Sequence, residues 1–129
     1  MKLGYLTLVP DRSADTLVPI MRRVIIYGSI VHSDEWAAYR CLDPQPALYG
    51  HLTVNHQHHF VDPQSGCTTN HIEAYWSRAK RRFKQMYGTS EALVPSYLDE
   101  FMWRERYGMD IVSAFRNILD HIAQRYPQV

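Results

Sequence analysis

Apolar residues recur along this chain with two periods, and the changes of period mark its elements. Residues 3–9 form a short β-rich run stopped by Pro10 and read as a strand. From Ser13, with Thr16 as the rival N-cap, to about Tyr27, the apolar residues Leu17, Ile20, Met21, Val24 and Ile25 return at helical spacing. Pro19 is expected in or near the first turn of that helix, where a missing N–H does little harm, and Gly28 suits its C-terminal stop. Residues 29–33 read as a second strand with Asp34 at its carboxyl end, followed by a helix-like stretch over 35–42 and a loop over 43–46. Residues 52–61 read as a third strand that carries His56, His58 and His59, and residues 62–66 as a turn cluster.

The second half is helical. A helix starts at Thr69 or Asn70, either of which can cap it, and runs to about Met86 before Gly88. Another covers about residues 91–107 despite Pro95 near its start. After Gly108, Ile111, Phe115, Ile118, Leu119 and Ile122 repeat as one apolar helical face. Strands that alternate with helices and then give way to helices argue for an α/β layer structure, with no internal repeat and no linker.

The chain's 129 residues suffice for one domain, and an apolar fraction of 46% is enough for a packed core. A formal net charge of +1 does not announce a nucleic-acid binder, so any such reading rests on where the cations sit. The two cysteines, Cys41 and Cys67, make no disulfide framework and are read as inert buried or loop thiols in a reducing compartment. No signal peptide and no membrane-length apolar run is visible.

Candidate chemistry gathers on the helix that contains Glu73. At about 100° per residue, Glu73, Ser77, Lys80 and Lys84 form one stripe, Ile72, Trp76, Ala79 and Phe83 a second, and Arg78, Arg81 and Arg82 the opposite flank. Five of the 14 Lys and Arg residues lie between Arg78 and Lys84, a density that suits phosphates, though a basic run can equally be a solvated helix face. Asp34 stands where open α/β sheets place ligands, and Glu73 follows it by 39 residues. Two such carboxylates are hard oxygen donors suited to Mg²⁺ or Mn²⁺, yet on spacing alone they read equally as caps or solvated acids. Cys67 and His71, with His56, His58 and His59, raise a zinc alternative that lacks a paired Cys-x₂-Cys. Trp36, Tyr39, Trp76, Phe101 and Trp103 could stack on bases, with core packing the expected role of Trp76 and Phe101. His32 reads as a core or strand-face histidine.

Five stretches, in order, cover about residues 8–107 and carry a resemblance. They are Val9-Pro10-Asp11-Arg12-Ser13-Ala14-Asp15-Thr16-Leu17; Gly28-Ser29-Ile30-Val31-His32-Ser33-Asp34-Glu35-Trp36-Ala37-Ala38-Tyr39; Val54-Asn55-His56 with Phe60-Val61-Asp62-Pro63 and Gly66; Thr69-Asn70-His71-Ile72-Glu73-Ala74-Tyr75-Trp76-Ser77-Arg78-Ala79-Lys80; and Tyr97-Leu98-Asp99-Glu100-Phe101-Met102-Trp103-Arg104. Together they resemble DDE transposases of the Merlin type and their bacterial insertion-sequence relatives.

The resemblance implies a ribonuclease-H-like mixed sheet, incomplete at its N-terminal strands, with C-terminal helices. Residues 1–108 would be a partial catalytic domain and 109–129 a helical extension of it. It also implies metal-dependent phosphodiester hydrolysis and strand transfer. Asp34 would be the second metal ligand, Glu73 the third, and Asn70 a supporting residue. Arg78, Lys80, Arg81, Arg82 and Lys84 would hold DNA. Transposon ends and a second copy would be the partners, in the nucleus of a eukaryotic host or the cytoplasm of a bacterial one. The family's first catalytic aspartate belongs to a strand upstream of the segment at Met1, and Asp11 and Asp15 match a non-catalytic loop. An isolated chain that is inactive is therefore expected, with a non-catalytic DNA-binding or interaction domain as the alternative.

Overall fold

In a computed structural model, residues 3–42, 50–55 and 61–127 are described. They fall into two units, Leu8–Arg78, and Met1–Thr7 together with Ala79–Val129.

The unit Leu8–Arg78 opens with α1 (Ala14–Val24). Ser13, not Thr16, is the cap, and its hydroxyl accepts the Thr16 N–H at 3.3 Å. The Asp11 carboxylate braces this entry by accepting from the Ser13 N–H and the Thr16 hydroxyl, both at 2.8 Å. Pro19 lies inside α1 and not in its first turn, so the helix forgoes the bond that residue 19 would give to the Asp15 carbonyl. α1 stops at Val24, short of the expected Tyr27, because Ile25 is already extended.

Next come β1 (Ile30–Asp34), a 3-10 turn (Ala37–Leu42) and β2 (Gly50–Val54). β1 and β2 pair in parallel, with Ile30 opposite Gly50 and Asp34 opposite Val54. A Cβ on residue 50 would stand 3.3 Å from the Ile30 side chain, so glycine permits the close approach. The third expected strand is thus displaced: it starts at Gly50, not Leu52, and stops at Val54, while residues 56–60 lie outside the described residues. Val18, Ser33, Ala38, Val54, Cys67, Thr69 and Tyr75 are the buried residues of this unit.

Residues 3–9 are not a strand. They join no strand ladder among the described residues, and Leu6, buried in the other unit, directs its N–H to the Met102 thioether at 3.1 Å. A β-rich run becomes a strand only where a partner's carbonyls and amides stand opposite it.

α2 (Asn70–Gln85) begins in the first unit and ends in the second. Its buried line is Tyr75 and Ala79, while Ile72 and Trp76 are exposed, so Trp76 is not the core residue expected. Lines drawn through Tyr75 or through Trp76 both include Ala79 and Phe83, and periodicity alone does not separate them. α2 closes with paired bonds from the Tyr87 N–H to the Lys84 carbonyl (3.2 Å) and from the Gly88 N–H to the Phe83 carbonyl (2.9 Å). That closure puts Tyr87, a non-glycine, at a φ of 55°.

In the second unit, the helix expected over 91–107 is a 3-10 turn (Glu91–Leu93) followed by α3 (Val94–Tyr107), with Pro95 in the first α turn where its missing N–H is harmless. α4 (Ile111–Arg125) is capped by Asp110, which accepts the Ser113 N–H at 2.9 Å. α3 and α4 are joined by the Trp103 indole N–H donating to His121 Nδ1 (2.9 Å) and by the Asn117 amide donating to the Tyr107 carbonyl (2.6 Å). Leu98 is buried, but the apolar face expected on α4 lies open, with Phe115 66% and Ile111 88% exposed. The described residues make a mixed α/β fold with a two-stranded parallel sheet and four α-helices.

Candidate functional site

Asp34 ends β1, and its Oδ1 accepts the Trp36 N–H at 3.1 Å, a turn that directs the chain out of the strand. Just beyond the paired strand ends, the Asn55 amide donates to the Glu35 carboxylate at 2.7 Å. Ser33 is buried; its hydroxyl donates to the Asp34 carbonyl at 2.7 Å and lies 2.8 Å from His51 Nε2. One hydroxyl proton serves one acceptor, so His51 Nε2 is the protonated nitrogen and donates to Ser33. A hydrogen-bonded line from β2 thus braces the residue before Asp34.

The approach to Glu73 is built by the turn at residues 62–66, as the sequence implies. Asp62 Oδ1 accepts from the Gln64 N–H (3.1 Å), the Ser65 N–H (2.7 Å) and the Ser65 hydroxyl (2.7 Å), and Gly66 takes a φ of 68°. The turn delivers Cys67, fully buried, against β1, where the Ser33 N–H reaches its sulfur. Burial pushes the Cys67 thiol up, the Asp62 charge pushes it further, and the Ser33 N–H partly opposes both. Among the described residues no group of three or more His, Cys, Asp or Glu is placed to hold a metal, and His56, His58 and His59 fall outside them.

Two residues past Cys67, buried Thr69 caps α2: its carbonyl accepts from the Ile72 (3.0 Å) and Glu73 (3.1 Å) N–H groups, and its hydroxyl donates to Glu73 Oε1 at 3.0 Å. Asp34 and Glu73 therefore belong to one unit, and the buried Ser33–Cys67 contact joins the strand of one to the lead-in of the other. Asn70 is exposed at the first turn of α2.

Sequence reasoning did not single out Arg12 or His51. The Arg12 guanidinium lies 4.4 Å over the Trp36 ring, and the Trp36 indole N–H donates to the Arg12 carbonyl at 3.1 Å. Burial pushes the Tyr39 hydroxyl up, the Asp34 charge adds to this and the Arg12 charge opposes it, so both charges act on one phenol. Neither pairing follows from spacing along the chain.

The cations of α2 differ in availability. Arg82 is engaged by the Glu100 carboxylate (3.3 Å) and lies over the Tyr97 ring, and Arg78 lies over Tyr75. Lys80, Arg81 and Lys84 are exposed, and Arg81 and Lys84 enter no ion pair among the described residues. A groove of about 690 Å³ between α3 and α4, lined by Trp103, Phe115 and Ile118, contains none of the residues read for metal or phosphate binding.

No helix among the described residues is long and apolar enough to cross a membrane. Residues 4–106 match the ISXO2-like transposase domain. A transposase-like protein of Haemophilus influenzae is 32% identical over 100 residues, which cover 78% of each chain. No solved structure matches. The match spans β1, β2, α2 and α3, including both strand-end and helix carboxylates, and on it the chain belongs to the ISXO2-like transposase family of bacterial insertion sequences.

Proposed function

We propose that this chain is part of a ribonuclease-H-like catalytic domain that cuts and joins transposon-end DNA, with Asp34 and Glu73 as two of its metal-binding carboxylates. The observation that carries the reading is that Asp34, at the end of β1, and Glu73, in the first turn of α2, lie in one unit. Two carboxylates fit Mg²⁺ or Mn²⁺, ions that proteins hold through one or two carboxylates completed by water and phosphate oxygens. When bound, such ions activate a water or a 3′-hydroxyl and stabilise the leaving oxygen.

The chain's own residues supply position. The Trp36 N–H fixes one oxygen of Asp34, the His51–Ser33 line holds the backbone beneath it, and the Thr69 hydroxyl orients Glu73. Asn70 supports this corner, and Arg78, Lys80, Arg81, Arg82 and Lys84 carry the positive charge that draws the DNA backbone. Arg81 and Lys84 lead because no carboxylate among the described residues meets their charges. In this reading the isolated chain binds metal and DNA without completing strand transfer. Pairing of two copies on two transposon ends belongs to the same reading.

The test is Mn²⁺ binding to the full chain by calorimetry or electron paramagnetic resonance, in the wild type, Asp34→Asn, Glu73→Gln and the double variant. Each single change is expected to weaken binding, and the double change to abolish it. Undiminished binding in the double variant refutes the metal reading; if duplex DNA is still bound, the chain is a non-catalytic DNA-binding domain.

A further inference from the structure

We propose that Arg12 and Trp36 form a preorganised phosphate-binding site which holds a DNA backbone phosphate on the Asp34 side of the Leu8–Arg78 unit.

Three observations converge. First, Arg12 is held at both ends: its guanidinium carbon lies 4.4 Å over the Trp36 ring centroid, and its backbone carbonyl accepts the Trp36 indole N–H at 3.1 Å. A planar fork stacked on a ring keeps its N–H edge available for a planar or tetrahedral oxyanion and loses little side-chain freedom on binding. Second, the fork has no acid of its own among the described residues. Its neighbour Asp11 is taken up by the Ser13 N–H, the Ser13 hydroxyl and the Thr16 hydroxyl, and Arg12 enters no ion pair among the described residues. Third, the platform is tied to the carboxylate at the end of β1, because the Trp36 N–H donates to Asp34 Oδ1. The Trp36 ring carries the Arg12 guanidinium while its backbone N–H holds Asp34, so one residue links the two charges. An exposed cation and a half-buried acid, linked through Trp36, suit a ligand that is anionic at one point and bridged by a cation at the next. A DNA strand offers that pattern.

For its role in transposition the site rests on the metal-binding reading of Asp34, but its phosphate binding stands apart from metal and is measured without it. The experiment uses the full chain in EDTA. A short duplex of arbitrary sequence is titrated over a range of salt concentrations with the wild type, Arg12→Ala, Arg12→Gln, Arg12→Lys and Trp36→Leu.

Loss of one phosphate contact is expected to weaken binding by about three- to tenfold and to reduce the slope of log affinity against log salt by about 0.9. Arg12→Lys should keep the slope and lose part of the affinity, because the charge remains without the fork. Trp36→Leu should weaken binding although Arg12 is intact, because the fork is no longer held. A slope unchanged in both Arg12→Ala and Arg12→Gln overturns the site, and a thermal melt of each variant excludes unfolding as the cause of any loss. Inorganic phosphate is expected to displace the duplex no better than chloride at equal ionic strength; displacement at much lower ionic strength overturns the DNA assignment in favour of a free anion. If Asp34→Asn leaves Mn²⁺ binding intact while Arg12→Ala still flattens the slope, the metal reading fails and the phosphate site stands. The opposite pair of results removes the phosphate site alone.

Discussion

Replacing Thr69 by valine removes one oxygen and nothing else of consequence for shape, and it isolates how Glu73 is aimed. The capping contacts of Thr69 to the Ile72 and Glu73 N–H groups come from its backbone carbonyl and survive the change. The bond lost is the hydroxyl donation to Glu73 Oε1 at 3.0 Å from a residue only 7% exposed. A hydrogen bond to a charged group contributes about 1.5–3 kcal/mol, and water at the exposed carboxylate recovers part of that, leaving about 1–1.5 kcal/mol. If Glu73 holds a metal, that loss appears as roughly a tenfold fall in Mn²⁺ affinity, the lower end for a residue that orients a ligand. Global stability should move by about 1 kcal/mol or less. Thr69→Ser, which restores the hydroxyl, should recover most of the affinity. Calorimetric Mn²⁺ titrations beside urea unfolding curves separate the two effects. Wild-type affinity in Thr69→Val would show that Glu73 is not a ligand oriented by Thr69; a large loss of stability would show that the hydroxyl serves the core instead.

Val54, 1% exposed and opposite Asp34, should cost about 2–3 kcal/mol when cut to alanine, seen as a lower urea midpoint at constant slope; a change under 1 kcal/mol would mean the strand pair is not packed as described. Tyr87→Gly relieves a left-handed non-glycine residue whose side chain is fully exposed, and should raise the melting temperature by about 3 °C; a fall would show that the ring contributes to folding. The Ser113 hydroxyl and N–H hold the Asp110 carboxyl below its ordinary value of 3.8, so the native state releases this proton more readily than the unfolded chain. Its stabilisation of α4 is present above that value and disappears as pH falls through and below it. Far-ultraviolet circular dichroism of the wild type and Asp110→Asn should therefore differ near neutral pH and converge in acid, and a constant difference would contradict the capping role.

Local features were legible because their causes are local. The cap at Ser13, the turn closed by Gly66 and the start of α2 after Thr69 follow from side-chain oxygens and glycine within a few residues of the backbone they serve. The parallel pairing of β1 and β2 agrees with the alternation of elements. Features that depend on distant partners were not legible. Residues 3–9 have strand propensity, but the ladder that would make them a strand lies in no other described segment. Whether α2 buries Tyr75 or Trp76 is decided by what faces it, because either residue lines up with Ala79 and Phe83 at helical spacing. At the site, Asp34 and Glu73 are candidates through motif wording alone. His51 and Arg12 were not legible, because their partners Ser33 and Trp36 stand 18 and 24 residues away. The basic run on α2 was visible as a run, yet only the fold tells that Arg82 already answers Glu100.

Cys67 turns the joint between β1 and α2 into something that can be timed. Its sulfur is sealed from solvent, so an alkylating reagent reaches it only when that joint opens. In a Cys41→Ser background, the labelling rate relative to that of a free thiol gives the free energy of opening at one place in the chain. Comparing that rate with and without Mn²⁺ would show whether an ion bound by Asp34 and Glu73 clamps the joint shut.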